Sequence, residues 1–532
     1  MSQSAASLTM QSVGGVLRAY GIEVKECLLK RGNHLNGLLL CEDIKNFPII
    51  YGKINFQDYK ETLNLLVELK RQNLVKRIFL FGPFCQLNSM KIMNAYEEID
   101  GIIYNDPEKT ALELGKSLME NMIDFTWNVG IEGALWRNWK TNKIIDTHVR
   151  KNGFELNELP FPIRDIEEKE FLNIVNIEFS RGCIFNCAYC HMAVLKKDSY
   201  SKIQEKSAEK IVSEIKYLYT TFGKRFFVFN DSLFWKNEKD RERINQFIEL
   251  LRLEKLDVNF MIYLSLQNFP PDDVIKNLSD VGLMRVFIGV ENSNANTMKK
   301  FNKGETIKKF EDVLPILNSY NISYHIGFVI FHPTATLEEV EENIKYLESI
   351  NKLFRVGIII EKMRLIPGTR LHEVTDKLTS SNEIDTAYNY IIKDLRAEEL
   401  FRGLSEMFTN TLKNSFREME SFFTSSNMIY IYAKRSYIKS SALNESIKNI
   451  ETEKSEYQDI LYHYINCCIY GIRQYNWKWT DISSKDIHKQ FINDYWRLYY
   501  KMQIIWGTLL HIVQQNFGEK YTRMISWGKE DI

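Results

Sequence analysis

Alternating strand and helix patterns over residues 174–366 constrain the fold of this chain more than any other feature. Six βα units can be counted, with Ser207 and Thr336 placed as N-caps of two of the helices. The predicted strands are Ile174–Phe179, Phe226–Phe229, Val258–Leu264, Met284–Val290, Ile322–Phe331 and Val356–Ile366. Such alternation predicts a parallel barrel, or part of one, with functional residues at the carboxyl ends of the strands.

Three cysteines follow the first predicted strand in a CxxxCxxC spacing: Cys183, Cys187 and Cys190. Three converging thiolates form a soft, anionic site that suits zinc or an iron–sulfur cluster better than a hard cation. A structural zinc site normally has a fourth Cys or His ligand in a second pair, and Cys467 and Cys468 are adjacent and lack ligand spacing. Three cysteines leave one iron of a four-iron cluster open to a small molecule. A zinc loop or a chance arrangement are the alternatives.

The cysteine spacing, with Tyr189 just before the last cysteine, resembles the radical S-adenosylmethionine (radical SAM) enzymes. The resemblance implies that Cys183, Cys187 and Cys190 hold a 4Fe-4S cluster whose open iron binds the amino and carboxylate groups of SAM. It implies that SAM is cleaved to a 5′-deoxyadenosyl radical, which abstracts hydrogen from the substrate. It further implies an open (β/α)6 barrel and an electron donor such as flavodoxin or ferredoxin.

Polar residues at two strand ends match family positions that bind SAM. Asn230, Asp231 and Ser232 follow the second predicted strand, where family members place groups that bind the SAM amino group. Pairing a carboxylate with an ammonium is favourable in a site of low dielectric, although Asp231 could instead cap the next helix. Gly289 and Glu291 follow the fourth strand and resemble the family's Gly-x-Glu-Ser motif, which implies that Glu291 binds the ribose or methionine end of SAM.

Three further residues are candidates for the site. Pro367 lies in the turn Ile366–Thr369, which the family shares and which implies a backbone contact to adenine. Tyr189 is expected to pack on the cofactor, with core packing as the alternative. His332 follows the fifth predicted strand and departs from the family pattern. It is a candidate acid or base toward the substrate, or an ordinary residue at a helix entry. Asn302, Lys303 and Gly304 also follow the family pattern.

Residues 1–165 predict an α/β domain that precedes the barrel. Its predicted elements are strands Leu35–Cys41, Val75–Phe81 and Ile99–Tyr104, helices over about 58–72 and 108–122, and a hairpin of Ile131–Arg137 with Lys143–Ile145. The stretches Phe81–Phe84 and Asp100–Thr110 resemble the Rossmann-like, cobalamin-binding-type domain of one large radical SAM subgroup. The family's Asp-x-His-x-x-Gly loop is replaced by Cys41–Asn46, without histidine. Either the domain binds cobalamin without a histidine ligand, or it is a structural remnant.

Residues 379–532 are dense in aromatic residues and lack strand alternation, which predicts four to six helices. The predicted domains are therefore 1–165 (cobalamin-binding-like α/β), 166–378 (radical SAM core) and 379–532 (α-helical). The helical domain is expected to cap the open barrel and to define the substrate, with simple packing as the default alternative.

Composition limits the partners of the protein. Lys plus Arg equals Asp plus Glu at 69 each, so bulk charge gives no support for a nucleic-acid partner. Eight cysteines in 532 residues do not form a disulfide framework. Residues 1–20 do not resemble a signal peptide, and no apolar run approaches the ~18 residues of a membrane span. We therefore expect a cytoplasmic protein.

These patterns predict a radical SAM enzyme that abstracts hydrogen from a natural-product, peptide or tetrapyrrole-like substrate. A cobalamin-dependent radical SAM methyltransferase is the alternative within this class. A non-catalytic metal-binding scaffold is the alternative from another class.

Overall fold

The computed structural model describes residues 8–26, 49–54, 59–120, 131–138, 140–165, 174–198, 203–304, 306–375, 384 and 390–517 of the 532-residue chain. These residues form an N-terminal mixed sheet, a central parallel sheet, a two-stranded ribbon and a C-terminal group of helices. None of the helices in this part of the chain combines the length and apolar character that crossing a bilayer needs.

The N-terminal sheet is ordered β1-β2-β3-β4-β5 in the described residues. Its strands are β1 (Ile49–Lys53), β2 (Arg77–Phe81), β3 (Gly101–Ile103), β4 (Ala134–Arg137) and β5 (Ile144–Asp146). The first three are parallel, and β4 and β5 form an antiparallel hairpin at one side. The predicted hairpin is confirmed, as are the strands predicted at Val75–Phe81 and Ile99–Tyr104, with shorter bounds.

Helices cover both faces of this sheet, because alternate residues of a central strand point to opposite sides. The helices are α1 (Leu8–Ala19), α2 (Tyr59–Arg71), α3 (Pro83–Leu87), α4 (Ser89–Ala95) and α5 (Pro107–Glu120). Phe79 and Phe81 of β2 are buried in a cluster with residues of α1 and α5. Ile78 and Leu80 are buried with residues of α2, α3 and α4. The predicted Rossmann-like domain is confirmed.

The central sheet is parallel throughout and ordered β12-β11-β10-β9-β6. Its strands are β6 (Ile174–Ile177), β9 (Phe226–Phe229), β10 (Asn259–Ser265), β11 (Leu283–Glu291) and β12 (Ser323–Phe328). The ribbon pairs β7 (Ser180–Arg181) with β8 (Gln204–Glu205). The first five predicted strands of the barrel are therefore confirmed.

The helices of the core follow its strands and pack on one face of the sheet. They are α6 (His191–Asp198), α7 (Ala208–Phe222), α8 (Arg241–Glu254), α9 (Asp272–Asp280), α10 (Ala295–Phe301), α11 (Ile307–Ser319), α12 (Leu337–Ser349), α13 (Val356–Ile359) and α14 (Arg370–Thr375). Both predicted N-caps are confirmed. Ser207 Oγ accepts from Lys210 N at 3.2 Å, and Thr336 Oγ1 accepts from Glu339 N at 3.1 Å.

The predicted sixth strand, Val356–Ile366, is wrong as a regular strand. Its first residues form α13, and a single parallel bridge between Phe331 and Lys362 continues the sheet. The reason is a tertiary contact: the backbone N–H of Gly357 donates to Glu420 Oε1 at 2.7 Å instead of to a sheet neighbour. A short apolar run does not by itself distinguish a buried helical turn from a strand.

The C-terminal region contains five α-helices among the described residues, within the predicted range. They are α15 (Leu395–Glu406), α16 (Phe416–Arg435), α17 (Ser441–Tyr475), α18 (Trp479–Ser483) and α19 (Asp486–Phe517). Met428, Ile431 and Tyr432 of α16 pack on Met261 and Met284 of the central sheet. α16 therefore covers part of the sheet face that the core helices leave open, whereas buried residues of α15, α17 and α19 pack in one cluster with the core helices.

Some predictions fall on residues outside the described ranges. The strand at Leu35–Cys41 and the loop Cys41–Asn46 are among them. Both predicted domain boundaries adjoin such residues, 166–173 and 376–383, and the divisions at 165/166 and 378/379 stay predictions. The first described strand, β1, was missed because Ile49–Lys53 has neither alternation nor a long apolar run.

Candidate active site

The chain leaves the first strand of the core through a clamped turn that leads into the cysteine loop. Asp231, after β9, accepts from Phe179 N at 2.9 Å and from Ser180 Oγ at 2.6 Å. Burial raises the pKa of Asp231 to about 6. Gly182 then adopts a φ of 101°, a conformation that favours glycine. Asp231 thus sets the direction in which the chain enters the loop.

The backbone of the cysteine loop is held from two sides. The N–H of Ala188, between the second and third cysteines, donates to Phe301 O at 2.9 Å. Its carbonyl accepts from Leu371 N of α14, also at 2.9 Å. The side chain of Asn302 donates to Asn186 O at 2.8 Å. These bonds attach the loop to the end of α10 and to α14.

The three loop cysteines are free thiols close enough to affect one another's ionisation. Burial raises the pKa of Cys187, and Lys303 acts against that rise. Burial also raises the pKa of Cys190, to about 11. Bound iron would remove these thiol protons. In the described residues no three Cys, His, Asp or Glu side chains are grouped to hold a single metal ion. A four-iron cluster is held differently, because each cysteine ligates a different iron, and three free cysteines on one clamped loop fit that donor set.

Glu291 lies at the carboxyl end of β11 in a backbone conformation that is rare for its residue type. Its φ is 75°, and the register of β11 with β12 shifts between Gly289 and Glu291. Strained residues of this kind cluster at functional sites. A Cβ placed on Gly289 would lie 2.3 Å from Glu291 Oε1, so only glycine leaves room for this carboxylate. The predicted Gly-x-Glu motif therefore has a geometric basis.

Two side chains beside the cysteine loop lie close to Glu291. Lys303 Nζ lies 3.0 Å from Glu291 Oε1. Burial and the nearby charge of Glu291 raise the pKa of Tyr189 well above its usual value, so this hydroxyl lies close to the same carboxylate. Burial alone would lower the pKa of Lys303, but the charges of Glu291 and Cys187 outweigh it and raise that pKa. Tyr189 packs edge-on against Phe301, with ring centroids 5.2 Å apart. Tyr189, Glu291 and Lys303 form a charged network next to Cys187.

The predicted residues after β9 point in different directions. Asn230 and Ser232 are exposed at the strand end, whereas the side chain of Asp231 is buried. Asp231 does not cap the next helix, since both carboxylate oxygens accept from residues 179 and 180. Asp231 is therefore bonded to Phe179 and Ser180, which precede the cysteine loop. Its contact with SAM stays a prediction.

The Pro367 turn packs against the helix that follows the cysteines. Gly368 has a φ of 77°, and a Cβ added there would lie 3.0 Å from Val194 of α6. The Oγ1 of Thr369 donates to Ile366 O at 2.7 Å and closes the turn. The turn leads directly into Leu371, whose N–H holds the cysteine loop. Pro367 is thus brought to the same end of the barrel as the cysteines.

His332 is fully buried, and its Nε2 lies 2.8 Å from Glu339 Oε1. Its ring meets Phe301 edge-on at 5.4 Å. Burial would raise the pKa of Glu339, but the hydrogen bond and charge of His332 outweigh it and lower that pKa. The sequence Thr336–Glu339 also predicts a capping box, but only the Thr336 half is formed, because the Glu339 carboxylate contacts His332 instead. A catalytic role for His332 stays a prediction.

Sequence reasoning did not assign two residues that the structure brings to this site. Lys303 had a signal, since it lies in the Asn302–Gly304 stretch that resembles the family. Arg181, two residues before the first cysteine, had none. Its guanidinium contacts Asp106 and Glu108, 75 and 73 residues earlier in the chain. Only the tertiary fold brings these groups together.

The comparisons with known proteins agree with this geometry. Residues 177–347 match the radical SAM superfamily. An uncharacterized methyltransferase of Pyrococcus horikoshii is 24% identical over 310 residues, which cover 57% of this chain and 64% of the relative. The bacteriochlorophyllide d C-8(2)-methyltransferase of Chlorobaculum tepidum is 24% identical over 236 residues, covering 42% of this chain and 51% of the relative. The matches thus span between half and two thirds of these relatives.

Two solved structures share the fold. The cobalamin-dependent SAM radical enzyme OxsB, with aqua-cobalamin bound, has a TM-score of 0.69 at 16% identity, covering 100% of this chain and 82% of that one. The radical SAM methyltransferase TsrM from Kitasatospora setae, with tryptophan and a SAM analogue bound, has a TM-score of 0.56 at 16% identity, covering 76% and 80%. The cysteine loop, the parallel core and the match over residues 177–347 identify this part of the chain as a radical SAM domain, and the cofactors of that superfamily are a 4Fe-4S cluster and SAM.

Proposed function

We propose that this chain cleaves SAM reductively and abstracts hydrogen from an organic substrate bound at the carboxyl ends of the barrel strands. The network of Tyr189, Glu291 and Lys303 carries the proposal, because it places a fixed carboxylate and a fixed ammonium beside the cysteine loop. Cys183, Cys187 and Cys190 would hold the cluster. The cluster and SAM, when bound, supply a 5′-deoxyadenosyl radical.

The residues of the chain then have binding and positioning roles. Glu291 is oriented to accept from a hydroxyl or ammonium group of SAM, while Lys303 and Tyr189 keep its carboxylate in place. Ser265, Gly289 and Gly327 occupy adjacent positions across β10, β11 and β12. Gly289 makes room for the side chains of Glu291 and Lys303, and Gly327 makes room for Phe287. Asn230 and Ser232 are exposed at the carboxyl end of β9 and would offer polar groups to SAM.

The substrate is proposed to be a natural product, a peptide or a tetrapyrrole-like molecule. One relative is named for a bacteriochlorophyllide substrate, which supports the tetrapyrrole-like class. The C-terminal helices are also proposed to help define the substrate, and one of them, α16, packs directly on the central sheet.

Anaerobic reconstitution tests the core of this proposal. The purified chain is loaded with iron and sulfide, reduced with dithionite and given SAM, and 5′-deoxyadenosine is measured. We expect about four irons per chain and formation of 5′-deoxyadenosine. A Glu291→Gln variant should keep its iron and lose most of the product. A loaded, reduced wild-type chain that produces none would contradict the proposal and support a scaffold function.

A cobalamin-dependent methyl transfer is the second candidate, and one observation favours it. Asp106, which follows the parallel strand β3, contacts Arg181, so the carboxyl end of β3 lies beside the entry to the cysteine loop. Ligands of open parallel sheets bind at that edge. Lys53, Gly82 and Asn105 lie at or just after the ends of β1, β2 and β3 and would line the ligand. Gly82 has a φ of 100°, a conformation that favours glycine, so no side chain projects from the end of β2.

Two measurements separate this candidate from simple hydrogen abstraction. The chain is incubated with hydroxocobalamin, desalted and examined by absorbance, and the bound cobalamin is then reduced to the Co(II) form and examined by EPR. Stoichiometric cobalamin without nitrogen coupling from a histidine is the expected result, because the predicted ligand loop Cys41–Asn46 has no histidine. Assays with methyl-labelled SAM and a substrate panel then report label transfer. No cobalamin binding would remove this candidate and support the remnant interpretation.

A further inference from the structure

One arginine joins the N-terminal domain to the cysteine loop. The Arg181 guanidinium donates to Glu178 through Nε at 2.9 Å and through Nη2 at 2.8 Å. It also donates to Glu108 at 2.7 Å and to Asp106 at 3.3 Å. Glu178 belongs to the core, whereas Asp106 directly precedes α5 of the N-terminal domain and Glu108 lies in its first turn. One half-buried cation therefore bridges carboxylates from two domains.

The N-terminal side of this bridge is itself fixed. Glu108 is 2% exposed and also accepts from Ser12 Oγ of α1 at 2.8 Å. Asp106 has a φ of 54°, in the left-handed region that Asp tolerates better than most residues. The carboxylates of Asp106 and Glu108 thus approach Arg181 from the turn at the start of α5.

The core side of the bridge is a two-stranded ribbon. Arg181 in β7 is paired with Gln204 in β8, and Gln204 Nε2 donates to the second oxygen of Asp106 at 3.2 Å. Ser180, the neighbour of Arg181, is held by Asp231. The ribbon that leads to Cys183 is therefore hydrogen-bonded both to Asp231 of the core and to Asp106 of the N-terminal domain.

We infer that Glu108 and Asp106 are positioning residues for the SAM site, acting through Arg181 on the orientation of the cysteine loop. The N-terminal domain is on this account part of the machinery that binds SAM, whether or not it binds cobalamin. The charge balance supports this role. The carboxylates of Asp106, Glu108 and Glu178 would repel one another without the guanidinium of Arg181 between them. The inference rests on the proposed SAM chemistry at the cysteine loop.

The test compares two Glu→Gln changes in the same helix. Glu108→Gln removes a charge that faces Arg181, and Glu113→Gln removes one that faces Arg150 within the N-terminal domain. Each reconstituted variant is measured for iron content, melting temperature, SAM affinity and the EPR change that SAM causes in the reduced cluster. A merely structural role would alter the melting temperature alone.

We expect Glu108→Gln to weaken SAM binding about tenfold, a usual size for coupling between sites, with iron content unchanged. Glu113→Gln should stay within about twofold of wild type. Asp106→Asn keeps the left-handed turn and serves if Glu108→Gln does not fold; it should weaken SAM binding by a smaller factor. Wild-type affinity and an unchanged EPR response in both Asp106→Asn and Glu108→Gln would overturn the inference. A wild-type chain that holds its cluster but binds no SAM would instead overturn the proposed function and this inference with it.

Discussion

The ammonium of Lys303 lies 3.0 Å from the carboxylate of Glu291, next to the loop that carries the three cysteines. The two residues are separated by α10, and Glu291 takes a left-handed conformation to reach this position. The backbone of Glu291 is strained, and the buried ammonium of Lys303 holds its carboxylate in place before any ligand binds. This preorganisation is the clearest functional signature of the site.

Replacing Lys303 with Met should weaken SAM binding because Glu291 loses the group that holds its carboxylate. We expect a loss of about tenfold or more, since charge-assisted hydrogen bonds contribute roughly 1.5–3 kcal/mol. Isothermal titration of the reconstituted protein measures it. Lys300→Met, at an exposed position of α10, is the matched control. Equal affinity for wild type and Lys303→Met would remove Lys303 from the SAM site.

Replacing Cys183, Cys187 or Cys190 with Ala should abolish formation of 5′-deoxyadenosine, because each thiolate is expected to bind one iron. Iron and sulfide analysis after reconstitution gives the readout. Cys467→Ala, on α17, is the control and should retain both iron and product. A triple Ala variant of the loop that still holds its cluster would refute the ligand set.

His332→Ala should destabilise the protein by about 2–4 kcal/mol, because it leaves a cavity and an unpaired buried carboxylate at Glu339. Urea unfolding measures this change. His332→Gln keeps a hydrogen-bond partner for Glu339 and should recover part of the stability. If His332→Gln is as stable as wild type and still forms 5′-deoxyadenosine, but does not convert the substrate, the predicted acid–base role gains support. Full conversion of the substrate by that variant would refute the role.

Glu420 predicts a pH dependence of stability. Burial raises the pKa of this carboxyl from 4.5 to about 7. The folded state therefore holds the proton more tightly, and this contribution is fully present below pH 4.5 and is lost as the pH rises through about 7. Glu420→Gln should exceed wild type in stability at about pH 8, by about 2 kcal/mol more than at about pH 5.5.

Glu418→Gln, on the exposed side of α16, is the matched control for the change of charge in Glu420→Gln. Differential scanning calorimetry at both pH values gives the comparison. The glutamine keeps an oxygen for the Gly357 N–H, so the packing of α13 should be preserved. A stability difference that does not change with pH would contradict the assignment of the raised pKa to Glu420.

The sequence determined the features that local spacing encodes. Three cysteines in one loop, strands alternating with helices, and the caps Ser207 and Thr336 all depend on residues close together in the chain. The five strands β6, β9, β10, β11 and β12 were predictable because buried parallel strands read as short apolar runs. The same rule failed at Val356–Ile366, where Glu420, distant in sequence, takes the backbone N–H of Gly357 and the run begins as a helix.

Only the tertiary structure decided which charged groups meet. Asp231 looked like a cofactor ligand or a helix cap, but its carboxylate accepts from Phe179 and Ser180 across the sheet. Arg181 meets Glu108 from the other domain, 73 residues away, and no periodicity in the sequence records that contact. Buried charges pair with whatever the fold places within hydrogen-bond distance. Their partners are therefore a property of domain packing, whereas the cysteine spacing is a property of the chain.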